Sequence, residues 1–254
     1  MTPRTPAALR AATLLLLPLA LAACSSGTGS TAGTRPSASA TTPSSAATPQ
    51  TAAASPAAAK ARLLTGDKLR AVLLRVDVLP KGYRADAAAT RDSGPDLAPP
   101  VKDGAPGACG ALEQTGWIRI AGIESASFAQ GDFVNARQEE FNQGVDTFRG
   151  SGAQLVMTRI EQAFKRCAHF TDSGSGAPVP VKVRSSVTKG SDGGAATIKA
   201  VLTSDQWEGG TTLIATRVGN SVITTFYSVQ SSDLGAANVG LTQKIVKNLT
   251  IAQR

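Results

Sequence analysis

Histidine is nearly absent: one, His169, stands in 254 residues, with three cysteines, two tryptophans and two tyrosines. A single imidazole removes most nucleophile–base pairs built on histidine and most metal sites, which draw on several His or Cys ligands. No Gly-x-Ser-x-Gly elbow and no phosphate-cradling glycine loop occurs beyond residue 60. Basic charge is not concentrated either, since no basic run is longer than Lys165-Arg166. With neither a basic stripe nor interleaved aromatics, nucleic-acid binding has no support. No apolar run approaches the roughly twenty residues a membrane-spanning helix requires.

What the chain does have begins at its N-terminus. Arg4 and Arg10 precede an uncharged apolar run from Ala11 to Ala20, then small residues lead to a cysteine. This is the build of an export signal, read as residues 1–23. Leu21-Ala22-Ala23-Cys24 resembles the bacterial lipobox at every position. The resemblance implies that the Cys24 thiol receives a diacylglycerol, and that cleavage leaves this cysteine, with acyl chains such as palmitate, as the new N-terminus. The plainer alternative is an ordinary secretory signal that leaves Cys24 an unpaired thiol. A lipid of more than one chain anchors firmly, because each buried methylene contributes roughly 0.8 kcal/mol. The expected address is the extracytoplasmic face of the cell membrane.

Residues 24–60 read as the lipidated N-terminus and a stalk. From Ser25 to Lys60 every residue except Arg35, Gln50 and Lys60 is Ser, Thr, Ala, Gly or Pro. Such a composition buries too little apolar surface to offset the entropy of ordering it. As a flexible coil it would span roughly 35 Å, so its expected function is distance from the anchor.

Residues 61–254 are long enough for one domain with its own core. Subtracting Arg4, Arg10, Arg35 and Lys60 from 26 basic residues leaves 22 against 18 acidic ones, a net +4. That mild excess implies at most weak attraction to anionic wall polymers or lipid headgroups. The periodicity predicts a helix over about 65–78 with Leu69, Val72, Leu73 and Val76 on its apolar face. A Pro/Gly/Asp-rich loop over about 85–107 leads to Cys109, and strand-like stretches follow at about 125–129 and 136–148. A second helix, capped by Ser151 and running to about Ala168, carries Val156, Ile160, Ala163, Phe164 and Cys167 at helical spacing. Four strands are predicted at about 181–187, 195–202, 211–218 and 221–229. Only Gly219-Asn220 separates the last two, which marks a two-residue hairpin. A closing helix over about 233–249 places Leu234, Ala237, Leu241, Ile245 and Leu249 on one face. Hairpin links and the order of elements give an α+β fold, an antiparallel β-sheet packed with helices.

If Cys24 takes a lipid, Cys109 and Cys167 remain in an exported chain, and an even remainder favours one disulfide between them over two free buried thiols. The helix end Ala163-Phe164-Lys165-Arg166-Cys167, the earlier cysteine in a Gly-rich loop, the Phe-rich β stretch between them and Arg217-Val218-Gly219-Asn220-Ser221-Val222-Ile223 together resemble the PknH-type extracellular sensor domain of actinobacteria. The resemblance spans roughly residues 62–251 and implies an antiparallel sheet between helical layers, with a cleft for a ligand. The family usually carries two disulfides, whereas this chain has cysteines for one, and Phe164 replaces the family's Trp before the helix cysteine. No ligand residue carries over from the resemblance.

The remaining candidates are weak. His169 reads as a helix-terminus residue. Glu139 and Glu140 are neighbours in a strand-like run and point to opposite faces, so they read as a solvated edge and not as a carboxylate pair. Trp117 and Trp207 read as core or rim, and Asn248-Leu249-Thr250 as a chance sequon. No catalytic centre, metal or cofactor is expected. The cleft is expected to be lined by apolar and neutral polar side chains, with Arg137, Glu139 and Lys199 on solvated faces. Two functions fit: a tethered sensor or binding module for a small molecule or wall fragment, or a lipid carrier like the LppX-type lipoproteins, which requires a large apolar cavity.

Overall fold

The computed structural model describes residues 62–174, 177–230 and 235–254. The expected signal peptide, the Cys24 lipidation site and the stalk lie outside the described residues. Its elements are helices α1 (Gly66–Arg70), α2 (Gly152–Arg166) and α3 (Ala236–Ala252), and strands β1 (Arg84–Asp92), β2 (Ser127–Val134), β3 (Glu140–Thr147), β4 (His169–Asp172), β5 (Val179–Lys189), β6 (Ala195–Thr203), β7 (Gly210–Val218) and β8 (Ser221–Val229). Short 3-10 turns occur at Val76–Val78, Cys109–Glu113 and Trp117–Ala121.

All eight strands form one antiparallel sheet in the order β1-β2-β3-β8-β7-β6-β5-β4. The α+β architecture with helices on an antiparallel sheet is as the sequence predicts. Alternation along β8 sends Val222 and Phe226 to one face and Ile223, Tyr227 and Val229 to the other. On the first face α2 buries Val156, Ile160, Ala163 and Phe164 against Ile198, Leu202, Leu213 and Ala215. On the second, Leu241, Ile245 and Leu249 of α3 join Leu69 of α1 over Phe141 and Val145. Each such large side chain contributes on the order of 1.5–3 kcal/mol by leaving water. The β7–β8 hairpin turns on Gly219-Asn220, with φ 59° at Gly219 and Val218 paired to Ser221. Positive φ at the first turn residue alone matches the type II′ hairpin.

Several local expectations are corrected. The helix predicted over 65–78 stops at Arg70, and Val76 is exposed. Side chains from elsewhere take the backbone groups beyond it: Gln143 both donates to the Leu74 carbonyl and accepts from the Leu74 N–H, each at 2.8 Å, and Asn248 Nδ2 donates to Val72 O at 3.0 Å. These bonds tie residues 72–74, which leave the helix in a turn, to the sheet and to α3, so their apolar spacing serves a strap. The predicted 85–107 loop opens with the edge strand β1, largely exposed and interrupted between Asp86 and Arg91, and so without alternation to read. Ser151 sits at the N-terminus of α2 but makes no side-chain cap bond. His169 opens edge strand β4, opposite Lys182, and does not end a helix. In α3, Ala237 is exposed and Asn238 is buried instead, donating to Thr212 O at 3.0 Å, while Asp233 and Leu234 lie outside the described residues.

Candidate functional site

Strands β2 and β3 reverse the usual logic of a covered sheet. Their residues facing α1 and α3 are apolar, Ala129, Phe133, Phe141 and Val145. The alternate residues, on the face that α2 shares farther along the sheet, are Phe128, Gln130 and Asp132 on β2 and Asn142, Gly144 and Asp146 on β3. Register pairs Phe128 with Asp146, Gln130 with Gly144 and Asp132 with Asn142, and then Gly144 with Thr224 and Asn142 with Phe226 on β8. Arg91 of β1 extends the row beyond Gln130. This is a polar patch that α2 does not reach.

The segment from Asp103 to Ser125 roofs it. Cys109 is bonded to Cys167 at the end of α2, with Cα atoms 5.6 Å apart, which realises the expected bridge. Arg159 of α2 donates through Nη1 to the carbonyls of Gly104, Ala121 and Gly122 at 3.3, 3.0 and 3.3 Å, and Arg166 donates to Gly107 O at 3.0 Å. Gly122, at φ 64°, packs so closely on Ala105 that no side chain fits. Trp117 enters the core at 2 % exposure and packs on Phe164 with ring centroids 5.7 Å apart, so the roof is pinned at both ends.

Between roof and sheet lies a cavity of about 210 Å³. Asn142, Gly144, Thr224 and Phe226 belong to its floor, Trp117, Ile118, Ile123 and Phe128 to its walls, and Arg91, Arg119, Glu124 and Asp146 bring charge. Gly144 keeps the floor open: a Cβ there would stand 3.0 Å from Thr224 Oγ1. Asp146 shows part of its side chain to the cavity, yet removal from bulk water pushes its carboxyl up to about 7, against the pull of a Ser125 hydrogen bond and of Arg119 and Arg91. Asp132, 3 % exposed, is pushed up to about 6 for the same reason, although Gln130 Nε2 donates to its Oδ2 at 3.1 Å. Trp117 Nε1, Asp132 Oδ1 and Asn142 Oδ1 are buried without a hydrogen-bond partner in the protein. Unpartnered buried polar atoms are costly, and two of these three, on Trp117 and Asn142, belong to residues that line the cavity.

A second cavity, about 420 Å³, lies farther along the same face and shares Phe226. Glu113, Glu139, Glu208 and the half-buried Trp207 line it. Burial, reinforced by contact with the Asp172 carboxylate, pushes Glu113 up to about 7. Glu139 is held below its ordinary range chiefly by Asn135, whose Nδ2 donates at 2.7 Å, and also by Arg137 at 2.9 Å.

The expectation of a neutral cleft is therefore wrong. Arg91, Arg119, Glu124 and Asp146 stand in the first cavity, and Glu139, with its side chain only 5 % exposed, lines the second. Arg137 is exposed and Lys199 only half so. Glu139 and Glu140 do diverge, but Glu139 is not a solvated edge, because its neighbours Asn135 and Arg137 fold back to hold it. Trp117 is core and wall at once. Asn248 ties α3 to the strap. Ser186-Val187-Thr188-Lys189 has the Ser-x-x-Lys spacing, but on strand β5 those positions point to opposite faces and Lys189 pairs with Glu161 at 3.5 Å. Among the described residues no group of three or more His, Cys, Asp or Glu side chains is placed to hold a metal ion, and no helix is long and apolar enough to cross a membrane.

Neither a protein-family model nor a curated protein matches the chain. The structure is similar to the crystal structure of the extracellular domain of PknH from Mycobacterium tuberculosis, with TM-score 0.55 and 16 % identity, over 75 % of this chain and 98 % of that one. The two share a fold. This agrees with the architecture implied by the sequence resemblance, an antiparallel sheet between helical layers, and at this identity the agreement concerns architecture and not ligand.

Proposed function

We propose that this chain is an envelope lipoprotein, exported by residues 1–23, held by a lipid on Cys24 at the extracytoplasmic face of the membrane, and spaced from it by residues 25–60. Its domain, from residue 61 onward, acts as a sensor or binding module for a small ligand. The observation that carries the binding reading is the 210 Å³ cavity, with aromatic walls, charged rim and buried polar atoms left without protein partners. That combination of apolar surface and a few fixed polar groups is what small-molecule sites require. The Cys109–Cys167 bond supports export, because such bonds persist in oxidising compartments. The fold shared with an extracellular domain points the same way.

We further propose that it works by binding and not by catalysis. Lysine and histidine are missing from the residues that line the first cavity. The lipid-carrier alternative loses ground, since both cavities carry carboxylates on their walls.

The test is calorimetric titration of the purified full chain with amino acids, short peptides, amino sugars and neutral sugars. Binding by any probe, lost on filling the cavity with Gly144→Val and with Ser125→Leu while both variants still melt cooperatively, supports the reading. No binding across the panel, or binding that survives both variants, overturns it.

A further inference from the structure

Resting on that reading, we propose that the cavity's ligand is a small zwitterion of the amino-acid type, its ammonium group set on the floor at Asp146 and its carboxylate drawn to Arg91 and Arg119 at the mouth. The floor has a surplus of acceptors. Asn142 is 7 % exposed, lines the cavity, and has an Oδ1 with no donor in the protein. Beyond Gly144 on the same strand face is the Asp146 carboxyl, which Ser125 reaches with a hydrogen bond. An ammonium is the complementary group, with three donors and no acceptor.

The mouth has the opposite character. Arg91 lies over the Phe128 ring at 5.7 Å, which holds it at the entrance, and Arg119 reaches no acceptor closer than Thr115 O at 3.4 Å. Both are exposed, and among the described residues neither forms a direct ion pair with a carboxylate, although both face Asp146, so their planar donor forks are open to a carboxylate from outside. Glu124 shares the rim, so a dianion such as phosphate is repelled where a single carboxylate is accepted. Phe128, Phe226 and Trp117 line the same cavity and give a side chain apolar surface beside the charged groups. A volume of about 210 Å³ falls below the roughly 300–1,000 Å³ of drug-sized sites and suits a single residue. A neutral sugar would leave both guanidinium groups unanswered.

Charge on the floor makes the binding pH-dependent. Asp146 is faced by Arg91 from β1, by Arg119 from the roof, and by Glu124 and Ser125 from the loop that follows. A bound ammonium favours the ionised carboxyl, so binding near pH 7 releases a proton and weakens as pH falls.

The experiment is calorimetric titration of the purified full chain, in buffers of different ionisation enthalpy, with both enantiomers of alanine, leucine and phenylalanine. The parallel probes are 3-phenylpropionate, which lacks the amine, phenethylamine, which lacks the carboxylate, glucose and inorganic phosphate. At least one amino acid binds with buffer-dependent enthalpy, and loss of either charged group weakens it about tenfold or more. Asp146→Asn weakens the amino acid and the amine but spares 3-phenylpropionate, whereas Arg91→Ala with Arg119→Ala does the reverse. Glucose or phosphate binding more tightly than every amino acid overturns the zwitterion while leaving a ligand-binding module in place. No binding of any of these probes also overturns it, and the wider panel of the preceding section then decides the fate of the module itself.

Discussion

Replacing Asp132 by Asn should stabilise the protein at alkaline pH and do almost nothing in acid. The carboxyl is 3 % exposed, receives Gln130 Nε2 at 3.1 Å on Oδ2, and has no partner on Oδ1. Burial raises it from an ordinary 3.8 to about 6. Because the folded value lies above the unfolded one, the native state binds more protons between the two. The contribution of this carboxyl to stability is therefore greatest below pH 4, falls as pH rises to about 6, and stays reduced above that. The loss amounts to roughly 3 kcal/mol. Asn removes the charge but also the charge assistance in the Gln130 bond, about 1 kcal/mol, which leaves a net gain near 2 kcal/mol at pH 8. For a chain of this size that is about 4–8 °C in Tm. Melting curves of wild type and Asp132→Asn from pH 4 to pH 8.5 supply the test. Asp146 and Glu113 are raised in the same sense and remain in both proteins, so the difference curve isolates Asp132. A constant offset across the range, or a lower Tm for the variant at pH 8, refutes the argument.

The Cys109–Cys167 bond joins residues 58 apart, and the Cys109→Ala, Cys167→Ala double variant should lose about 4 kcal/mol in urea titrations. A loss under about 1 kcal/mol would mean that the roof is held by Arg159 and Trp117 alone. Gly122→Ala places a Cβ against the Ala105 carbonyl at a positive φ and should cost at least about 2 kcal/mol in the same assay, with a matching loss of ligand binding. Cys24→Ala should release the protein from carbonate-washed membranes, and a variant that still fractionates with membrane places the anchor elsewhere. Incubation with fluorogenic esters, peptides and glycosides should give no turnover, whereas turnover abolished by Glu113→Gln would make the Glu113–Asp172 carboxyls a catalytic pair.

The parts of the fold legible in the sequence are those where one physical signal dominates. β8 is read to the residue and β7 to within one, because β-branched runs flank a turn whose glycine takes positive φ. The Val156, Ile160 and Phe164 spacing places α2 correctly for the same reason, one face buried and one wet. β1 and β4 are edge strands with little buried surface, so neither alternation nor composition betrays them. Residues 72–76 are more instructive. Leu69, Val72, Leu73 and Val76 keep a helical spacing, yet Val76 is exposed and Leu74, off that face, is buried. The backbone bonds that decide the conformation come from Gln143 and Asn248, far along the chain. Tertiary partners override a local period when they satisfy the backbone better than a helix would.

The site was illegible for a related reason. Nothing in Ser127–Val134 or Glu140–Thr147 advertises a ligand, since polar residues alternating with apolar ones read as the solvated side of a half-buried strand. What turns that side inward is the roof, and the roof's position depends on a disulfide, three carbonyls gathered by Arg159 and a glycine at φ 64°. Once covered, Asn142 and Asp146 are costly to keep from bulk water, and on the function proposed above a ligand offsets that cost. The Gly144 gap beside them leaves room for that ligand, and the row of residues it interrupts, from Arg91 to Thr224, is assembled by strand register from segments more than a hundred residues apart.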